Sequence, residues 1–359
     1  MLKKSFLTLT LAAVLAAIPL VSAQDATQEA TTEIQKICLV TDVGRVNDGT
    51  FNQYAYDGLT KAAEDFSLEN TFIETQAVAD YETNINTCAN EGYDVIVTVG
   101  FLIGDATKAA AEAHPDIYFI GIDQYLEAGP TNYVGVQFRE DQAGFLVGAM
   151  AAMVANEKGA TKIAGVYGID VPAVKRFRNG YEQGAMFVNP TWVVGENILG
   201  NYEKSFTDPA AGASTARQYI GEGAAVIFGA GGPTGSGAIK EAAKSGVFVI
   251  GVDQDEYFTT FAEGATEGAT NLITSALKRV DVGVYTMIEA LVNGDMDSFP
   301  GGSIYILDVA NGGITFAPAH DATITPAITA HIQQLQDLLQ GMVGVDPQTG
   351  DLAPMDAAK

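Results

Sequence analysis

One sequence pattern occurs twice in this chain, at residues 95–124 and 225–254. Each copy begins with a short apolar run, breaks at glycine, continues through small residues and ends in a second apolar run. The second runs read YFIGIDQ and FVIGVDQ, so each ends in Gly-(Ile/Val)-Asp-Gln. This order predicts strand, glycine loop, helix, strand and carboxylate, twice. Because the apolar runs are continuous rather than alternating, the strands are expected to be parallel and covered on both faces.

The two carboxylates of the pattern, Asp123 and Asp253, come directly after the predicted strands. Ligands of open α/β sheets bind outside the carboxyl ends of the strands. The duplication therefore predicts an α/β fold of two doubly wound parallel-sheet lobes with a ligand cleft between them.

Strand and helix patterns alternate along the rest of the chain, which favours parallel sheets with right-handed crossovers. Residues 272–293 are predicted to form one long helical segment. The other predicted strands are residues 34–41, 71–78, 133–138, 162–167, 192–199, 303–308 and 314–317. The other predicted helices are residues 52–66, 81–91, 140–156, 171–189, 209–222 and 331–339.

The N-terminus has the pattern of a secretory signal peptide. Lys3 and Lys4 precede an apolar stretch at residues 7–20, and Val-Ser-Ala follows at residues 21–23. We expect cleavage after Ala23, a mobile tail over residues 24–33, and a soluble exported protein in the periplasm. No cysteine lies near the cleavage point, so no lipid anchor is expected.

The net charge argues against nucleic-acid binding, and the two cysteines leave a disulfide open. The formal net charge is −25, and losing the two lysines of the signal peptide makes it −27. Such a chain repels nucleic acid. Cys38 and Cys88 would lie in one lobe, and export permits a disulfide between them. Two buried free thiols fit the sequence equally well, because sequence does not give the Cα separation.

The sequence lacks the motifs of several enzyme classes. The glycine-rich stretch at residues 229–237 is followed by Ala238 and Ile239 rather than the Lys-Ser/Thr of a phosphate-binding loop. The three histidines have no metal-ligand spacing, so neither a metal nor another cofactor is predicted. No G-x-S-x-G motif is present. A hydrolase that uses paired carboxylates remains an alternative.

Phe51 and Phe206 stand at loop-to-helix junctions, one in each predicted lobe. Packing at a helix start explains such a residue more often than ligand contact does. Because one occurs in each lobe, the two rings could also clamp a flat ligand between their faces.

Three motifs occur in order along the chain. They are D-x-x-F-N at residues 48–52, V-K-R-F-x-x-G at residues 174–180 and L-K-R-V-D at residues 277–281. With these motifs, the chain resembles the basic membrane protein family, the substrate-binding proteins of ABC importers that include a purine nucleoside receptor. The resemblance spans nearly all of the predicted mature chain.

The resemblance implies a type I periplasmic-binding-protein fold. It also implies a purine nucleoside ligand, a membrane permease as partner, no enzymatic activity and a monomer. The implied N-lobe is residues 34–138 plus 279–307, and the C-lobe is residues 139–278 plus 308–345, followed by a loose tail at residues 346–359. A flavin or sugar on the same scaffold is one alternative, and a nucleoside hydrolase that uses Asp42, Asp123 and Asp253 is another.

The resemblance also implies roles for individual residues. Phe51 and Phe206 would stack on the base, Asp123 would accept hydrogen bonds from the base edge, and Asp253 would accept them from the ribose. Lys278 would donate to the sugar or hold Asp253. The remaining implied ligand-site residues are Asp42, Asn47, Asp48, Asn52, Phe177, Gly229 and Gly231.

Overall fold

The computed structural model describes residues 33–339 and 348–351. The predicted signal peptide (residues 1–23), most of the two predicted tails and residues 340–345 of the predicted C-lobe lie outside the described residues. The chain begins with β1 (Lys36–Val43), α1 (Phe51–Phe66), β2 (Glu69–Thr75), α2 (Tyr81–Asn90), β3 (Val95–Val99), α3 (Gly104–Ala113), β4 (Tyr118–Ile122) and β5 (Tyr133–Phe138).

The chain then forms a second set of elements and returns to the first. The elements of this part are α4 (Glu140–Glu157), β6 (Ile163–Tyr167), α5 (Pro172–Val188), β7 (Ile198–Tyr202), α6 (Pro209–Gly221), β8 (Val226–Ala230), α7 (Gly232–Lys244), β9 (Phe248–Asp253), β10 (Leu272–Lys278), α8 (Val280–Val292), β11 (Ile304–Leu307), β12 (Ile314–Phe316) and α9 (Pro326–Leu338).

The strands of the described residues form two six-stranded sheets. The first has the order β11-β5-β4-β3-β1-β2, and all of its neighbouring strands are parallel. The second has the order β12-β10-β9-β8-β6-β7 and is parallel except for the edge strand β12. This confirms the predicted architecture of two parallel α/β lobes.

Both faces of each sheet are covered, as the continuous apolar runs predict. In β1, Ile37 and Leu39 belong to one buried cluster, whereas Cys38 and Val40 belong to another. Successive side chains of a strand point to opposite faces, so a strand buried on both sides needs apolar residues at every position.

The prediction of one helix over residues 272–293 is wrong. The segment divides into the strand β10 and the helix α8, which meet at Arg279. β10 lies between β9 and β12, where every residue except Leu277 is buried. Pairing within a sheet overrides the local helical preference of a short apolar segment.

The predicted strand at residues 192–199 is also misplaced. The strand β7 begins only at Ile198; before it, Val194 forms an isolated bridge with Ile198 and residues 195–197 form a turn. Gly195 has a φ of +87°, a backbone conformation that glycine adopts readily and that interrupts a strand.

Within residues 33–339, the chain passes between the sheets at three places: from β5 to α4, from β10 to α8, and from β11 to β12. The first two crossings share a motif. Arg139 pairs with Asp141 and Arg279 pairs with Asp281, each through two hydrogen bonds of 2.7–2.9 Å. The backbone N–H of Arg139 donates to Leu307 and that of Arg279 donates to Gly313, so both crossings are tied to the third.

Cys38 in β1 and Cys88 in α2 form a disulfide, with a Cα–Cα distance of 6.1 Å. This decides between the two possibilities that the sequence left open. The bond fixes α2 against the first sheet.

Replacing both cysteines by alanine is expected to lower the free energy of unfolding by about 2–4 kcal/mol, because a cross-link across a long loop restricts the unfolded chain. The two cysteines are 50 residues apart in sequence. Urea unfolding of the oxidised protein and of the double variant measures the loss. Dithiothreitol should lower the free energy of unfolding of the wild type and leave that of the variant unchanged. Equal stabilities of the oxidised wild type and the variant would contradict the expectation.

Candidate functional site

A cavity of about 70 Å³ lies between the two sheets, where the carboxyl ends of strands from both lobes converge. Ten of the twelve residues that the sequence singles out line it. They are Asp42, Asp48, Phe51, Asn52, Asp123, Phe177, Phe206, Gly231, Asp253 and Lys278.

The structure places the other two residues outside this lining. Asn47 is exposed and lies in an adjoining groove of about 460 Å³, together with Arg45, Gln76 and Pro209. Gly229 lies in β8 against helix α7, where a Cβ would come within 2.5 Å of the carbonyl oxygen of Gly235. Neither position brings the residue to the cavity wall.

Asp123 and Asp253 occupy equivalent positions in the two lobes. Both have left-handed backbone conformations, with φ values of 61° and 66°, which aspartate tolerates better than most residues. Burial raises the pKa of Asp253 to about 8 and that of Asp123 to about 6. Among the described residues, none hydrogen-bonds the buried Oδ1 of Asp123, so this oxygen is a ready acceptor for a donor in the cavity.

Lys278, at the end of β10, links the cavity to the first crossing between the lobes. Its Nζ lies 2.6 Å from Asp123 Oδ2 and 2.8 Å from Glu140 Oε1. Arg176 completes the network, with its Nε 2.5 Å from Glu140 Oε2. The ion pairs of Lys278 in the described part of the chain are thus with Asp123 and Glu140, whereas the family resemblance implied that Lys278 would donate to the sugar or hold Asp253.

The buried charges of this network compensate one another. Burial disfavours the ammonium form of Lys278, but the carboxylates of Asp123 and Glu140 outweigh it and raise the pKa of the lysine. Burial likewise disfavours ionised Glu140, but Arg176 and Lys278 together lower its pKa. The site thus keeps a cation beside its acceptors, and Lys278 Nζ also lies 4.8 Å from the ring centre of Phe51.

The loop before α1 is held by its own side chains. Asp48 accepts hydrogen bonds from the backbone N–H groups of Thr50, Asn52 and Gln53 and from the side chain of Asn52. Four donors of a helix start therefore converge on one carboxylate, which is a capping role. Asp48 lines the cavity while it fixes the start of the helix that carries Phe51.

Asp42 is held in the same way by neighbouring groups. It accepts hydrogen bonds from the hydroxyl of Tyr81 and from the backbone N–H of Val43. Its own backbone N–H donates to the side-chain oxygen of Asn52, over 3.2 Å. Burial raises the pKa of Asp42.

The rest of the lining is largely apolar and comes from both lobes. Phe51 and Phe206 line the cavity from opposite lobes, and Phe177 lies in α5. The ring of Phe206 lies against Gly168, where a Cβ would come within 2.2 Å of its Cε1 atom. Only a glycine at this position lets the ring lie so close to the backbone.

The sequence reasoning missed several wall residues. Phe101 and Leu102 lie in the loop after β3, and Gly232 and Pro233 lie in the equivalent region after β8. The repeat itself carries the signal that could have found them. Because Gly229 and Gly231 of the second copy are implied ligand-site residues, the repeat also points to the equivalent loop of the first copy.

The part of the chain that the structure describes shows neither a metal site nor a membrane-spanning helix. It contains no group of three or more histidine, cysteine, aspartate or glutamate side chains placed to hold a metal ion. Nor does any helix in residues 33–339 have the length and apolarity needed to cross a membrane.

Comparisons with known proteins identify the family and the fold. A family model described as "Bmp: ABC transporter substrate-binding protein PnrA-like" matches residues 34–340. The ABC transporter nucleoside-binding protein BmpA of Lactococcus lactis is 30% identical over 292 residues, 78% of this chain and 80% of that protein. Basic membrane protein A1 of Borrelia garinii is 32% identical over 288 residues, 79% of this chain and 80% of that protein.

Solved structures and further relatives extend the comparison. A solute-binding protein of an ABC transporter system from Aeropyrum pernix superposes with a TM-score of 0.75 at 27% identity, covering 87% of this chain and 93% of that one. An uncharacterized lipoprotein of Pyrococcus furiosus is 30% identical over 290 residues, 78% of this chain and 69% of that protein. Its name contrasts with the expectation that this chain carries no lipid anchor. The family match over residues 34–340, together with the shared two-lobe fold, shows that the chain belongs to the Bmp family of ABC transporter substrate-binding proteins.

Proposed function

We propose that this protein binds a purine nucleoside between its two lobes and delivers it to the membrane permease of an ABC importer. In this proposal, the lobes are residues 34–138 with 279–307 and residues 139–278 with 308–345, and the protein acts as an exported monomer. The observation that carries the proposal is the cavity, which combines a phenylalanine from each lobe with buried carboxylates.

The chemistry of a nucleoside matches this combination. A purine has two apolar faces and an edge of polar groups, so Phe51 and Phe206 would cover the faces. The free Oδ1 of Asp123 would accept a hydrogen bond from the edge of the base. Asp253, buried at the equivalent position with its pKa raised to about 8, would accept from the ribose hydroxyls, and hydrogen bonds from these donors would favour its ionised form.

The same lining argues against a nucleotide. A phosphate would bring negative charge into a cleft with several buried carboxylates, and such repulsion is weakly screened away from water. Lys278, the cation that lines the cavity, is already paired with Asp123 and Glu140. We therefore propose that the site selects neutral nucleosides.

The proposal includes no catalytic step. Of the three carboxylates that a hydrolase could use, Asp42 is hydrogen-bonded to Tyr81 and Asp123 is paired with Lys278. No histidine, serine or cysteine is among the described residues that line the cavity. Binding followed by release of the intact ligand is the activity that these groups support best.

Thermal unfolding in the presence of inosine, guanosine and adenosine tests the proposal. A ligand that binds only the folded protein stabilises it by about 2.7 kcal/mol at 100 times its Kd, so at least one of them should raise the melting temperature. Inosine 5′-phosphate should raise it less. Riboflavin and ribose test the alternative ligands, and a shift with either of these alone would overturn the proposal.

The same samples test for catalysis. After incubation, chromatography should recover each nucleoside intact. Steady production of free base above the rate in buffer would assign the protein to the hydrolases instead.

A further inference from the structure

The two copies of the repeat diverge at their final glutamine. Gln124 Nε2 donates within its own lobe, to the carbonyl oxygens of Thr98 and Gly100 and to the Thr98 hydroxyl, over 3.0–3.3 Å. Gln254 Nε2 donates across the cleft instead, to the carbonyl oxygen of Thr50 in the other lobe, over 3.1 Å. The two equivalent side chains therefore have different roles. Gln124 holds a loop of its own lobe, whereas Gln254 forms a hydrogen bond between the lobes.

A second hydrogen bond crosses the cleft close by. The hydroxyl of Thr259 donates to the carbonyl oxygen of Gly49 over 2.8 Å. Both acceptors lie immediately before helix α1, which begins with Phe51. A short part of the second lobe, residues 254–259, is therefore hydrogen-bonded to the loop that immediately precedes Phe51, one of the two proposed stacking rings. We call these residues the latch segment.

Glu256 holds the latch segment from within. Its side chain is fully buried. It accepts hydrogen bonds from the Val252 N–H over 3.0 Å, from the Ser236 hydroxyl over 2.8 Å and from the hydroxyl of Thr260. Its own backbone N–H donates a hydrogen bond to the hydroxyl oxygen of Ser275 over 3.1 Å. One carboxylate thereby ties the segment to β9 and α7.

We propose that the latch segment keeps the cleft closed around its ligand through Gln254 and Thr259, and that Glu256 is the positioning residue that sets the shape of this segment. The role of the latch in ligand retention rests on the proposed function, and inosine serves as the probe. Latch residues act on the rate at which the cleft opens, since neither Gln254 nor Thr259 lines the cavity.

Substitutions in the latch should therefore change dissociation rather than association. Thr259→Val removes one neutral hydrogen bond, so we expect inosine to dissociate about two- to tenfold faster, with little change in the association rate. Thr215→Val is the matched control. It also removes one threonine hydrogen bond, to Glu203 within the second lobe over 2.6 Å, and should leave both rates unchanged. Stopped-flow mixing measures both rates.

Glu256→Leu should also accelerate dissociation, because the latch segment would lose its internal anchor. If Glu256 acts through the latch, Thr259→Val should accelerate inosine dissociation by a smaller factor in the Glu256→Leu variant than in the wild type. Full additivity of the two effects would overturn the positioning role. Similar dissociation rates for the Thr259→Val and Thr215→Val variants would overturn the latch itself.

A cross-link tests the latch without any ligand. A Cβ on Gly49 would lie 3.7 Å from the Cβ of Thr259, within the range of about 3.5–4.5 Å found in disulfides. The double variant Gly49→Cys/Thr259→Cys should therefore form a disulfide across the cleft on oxidation, detected by peptide mapping without reduction. Absence of this cross-link from the folded, oxidised double variant would overturn the proposal, even if inosine proves not to be the ligand.

The oxidised double variant also links the latch to binding. Cross-linked before inosine is added, it should take up none; cross-linked afterwards, it should retain inosine through dialysis until dithiothreitol is added. Gly49 has a φ of +78°, so a side chain there is strained, and Gly49→Ser/Thr259→Ser measures the effect of that strain alone. Free exchange of inosine by the cross-linked protein would overturn the latch.

Discussion

Replacing Lys278 by methionine is expected to lower the free energy of unfolding by about 3–5 kcal/mol, because it removes the cation paired with buried Asp123 and leaves buried Glu140 with Arg176 alone. The ammonium group contacts Asp123 and Glu140, and its side chain is only 2% exposed. Methionine has a similar length, so the loss reports the charge rather than an empty space. Urea unfolding followed by circular dichroism measures it.

Lys36→Met provides the matched control. Lys36 also forms an ion pair, with Glu69, but both side chains are well exposed. Water screens such pairs, so this substitution should have little effect on stability. The double variant Lys278→Met/Asp123→Asn should recover part of the lost stability, because it also removes one of the charges left unpaired. Losses of similar size for Lys278→Met and Lys36→Met would contradict a stabilising role for the buried network.

The fold could be predicted well where burial and periodicity point to the same element. The strand β5 and the start of α4 fall where the pattern places them, because one is a continuous apolar run and the other begins a long series of small and apolar residues. The pattern fails at β10. Its sequence, LITSALK, suits a helix as well as a strand, and only its place between β9 and β12 decides between them.

Much of the candidate site could also be predicted, because parallel strands bring their carboxyl ends to one edge. Asp123 and Asp253 are far apart in the sequence but reach one cavity for this reason. The sequence pattern does not predict which side chains pair with each other in the folded chain. The pairing of Lys278 with Asp123 and Glu140, and the disulfide between Cys38 and Cys88, depend on distances that only the folded chain supplies.

The repeat was informative in two opposite ways. It indicated the glycine loop after β8 as part of the site, but Phe101 and Leu102, which follow β3 at the equivalent place, were not predicted. At the final glutamines, the symmetry is misleading. Gln124 and Gln254 each end a similar Gly-(Ile/Val)-Asp-Gln sequence, but of the two only Gln254 donates to a carbonyl of the other lobe, because the loop before α1 lies opposite it.

Phe51→Ala and Phe206→Ala are each expected to weaken nucleoside binding between tenfold and a thousandfold. Stacking contributes about 0.5–1.5 kcal/mol beyond area burial, and burying the ring contributes roughly 1.5–3 kcal/mol more. About 1.4 kcal/mol corresponds to a factor of ten in affinity. Titration calorimetry with guanosine measures the loss. Phe187→Ala, which removes a half-exposed ring that packs on Phe145, is the matched control and should bind normally.

The size of the base separates stacking from simple helix packing. If the two rings cover the faces of a base, a purine has more surface to lose than a pyrimidine, so each substitution should cost more for guanosine than for uridine. If the rings only hold the starts of their helices, the loss should come from a distorted cavity and should be similar for both nucleosides. Normal guanosine binding by both variants would exclude the aromatic clamp, and the cavity-lining positions of Phe51 and Phe206 would then reflect packing alone.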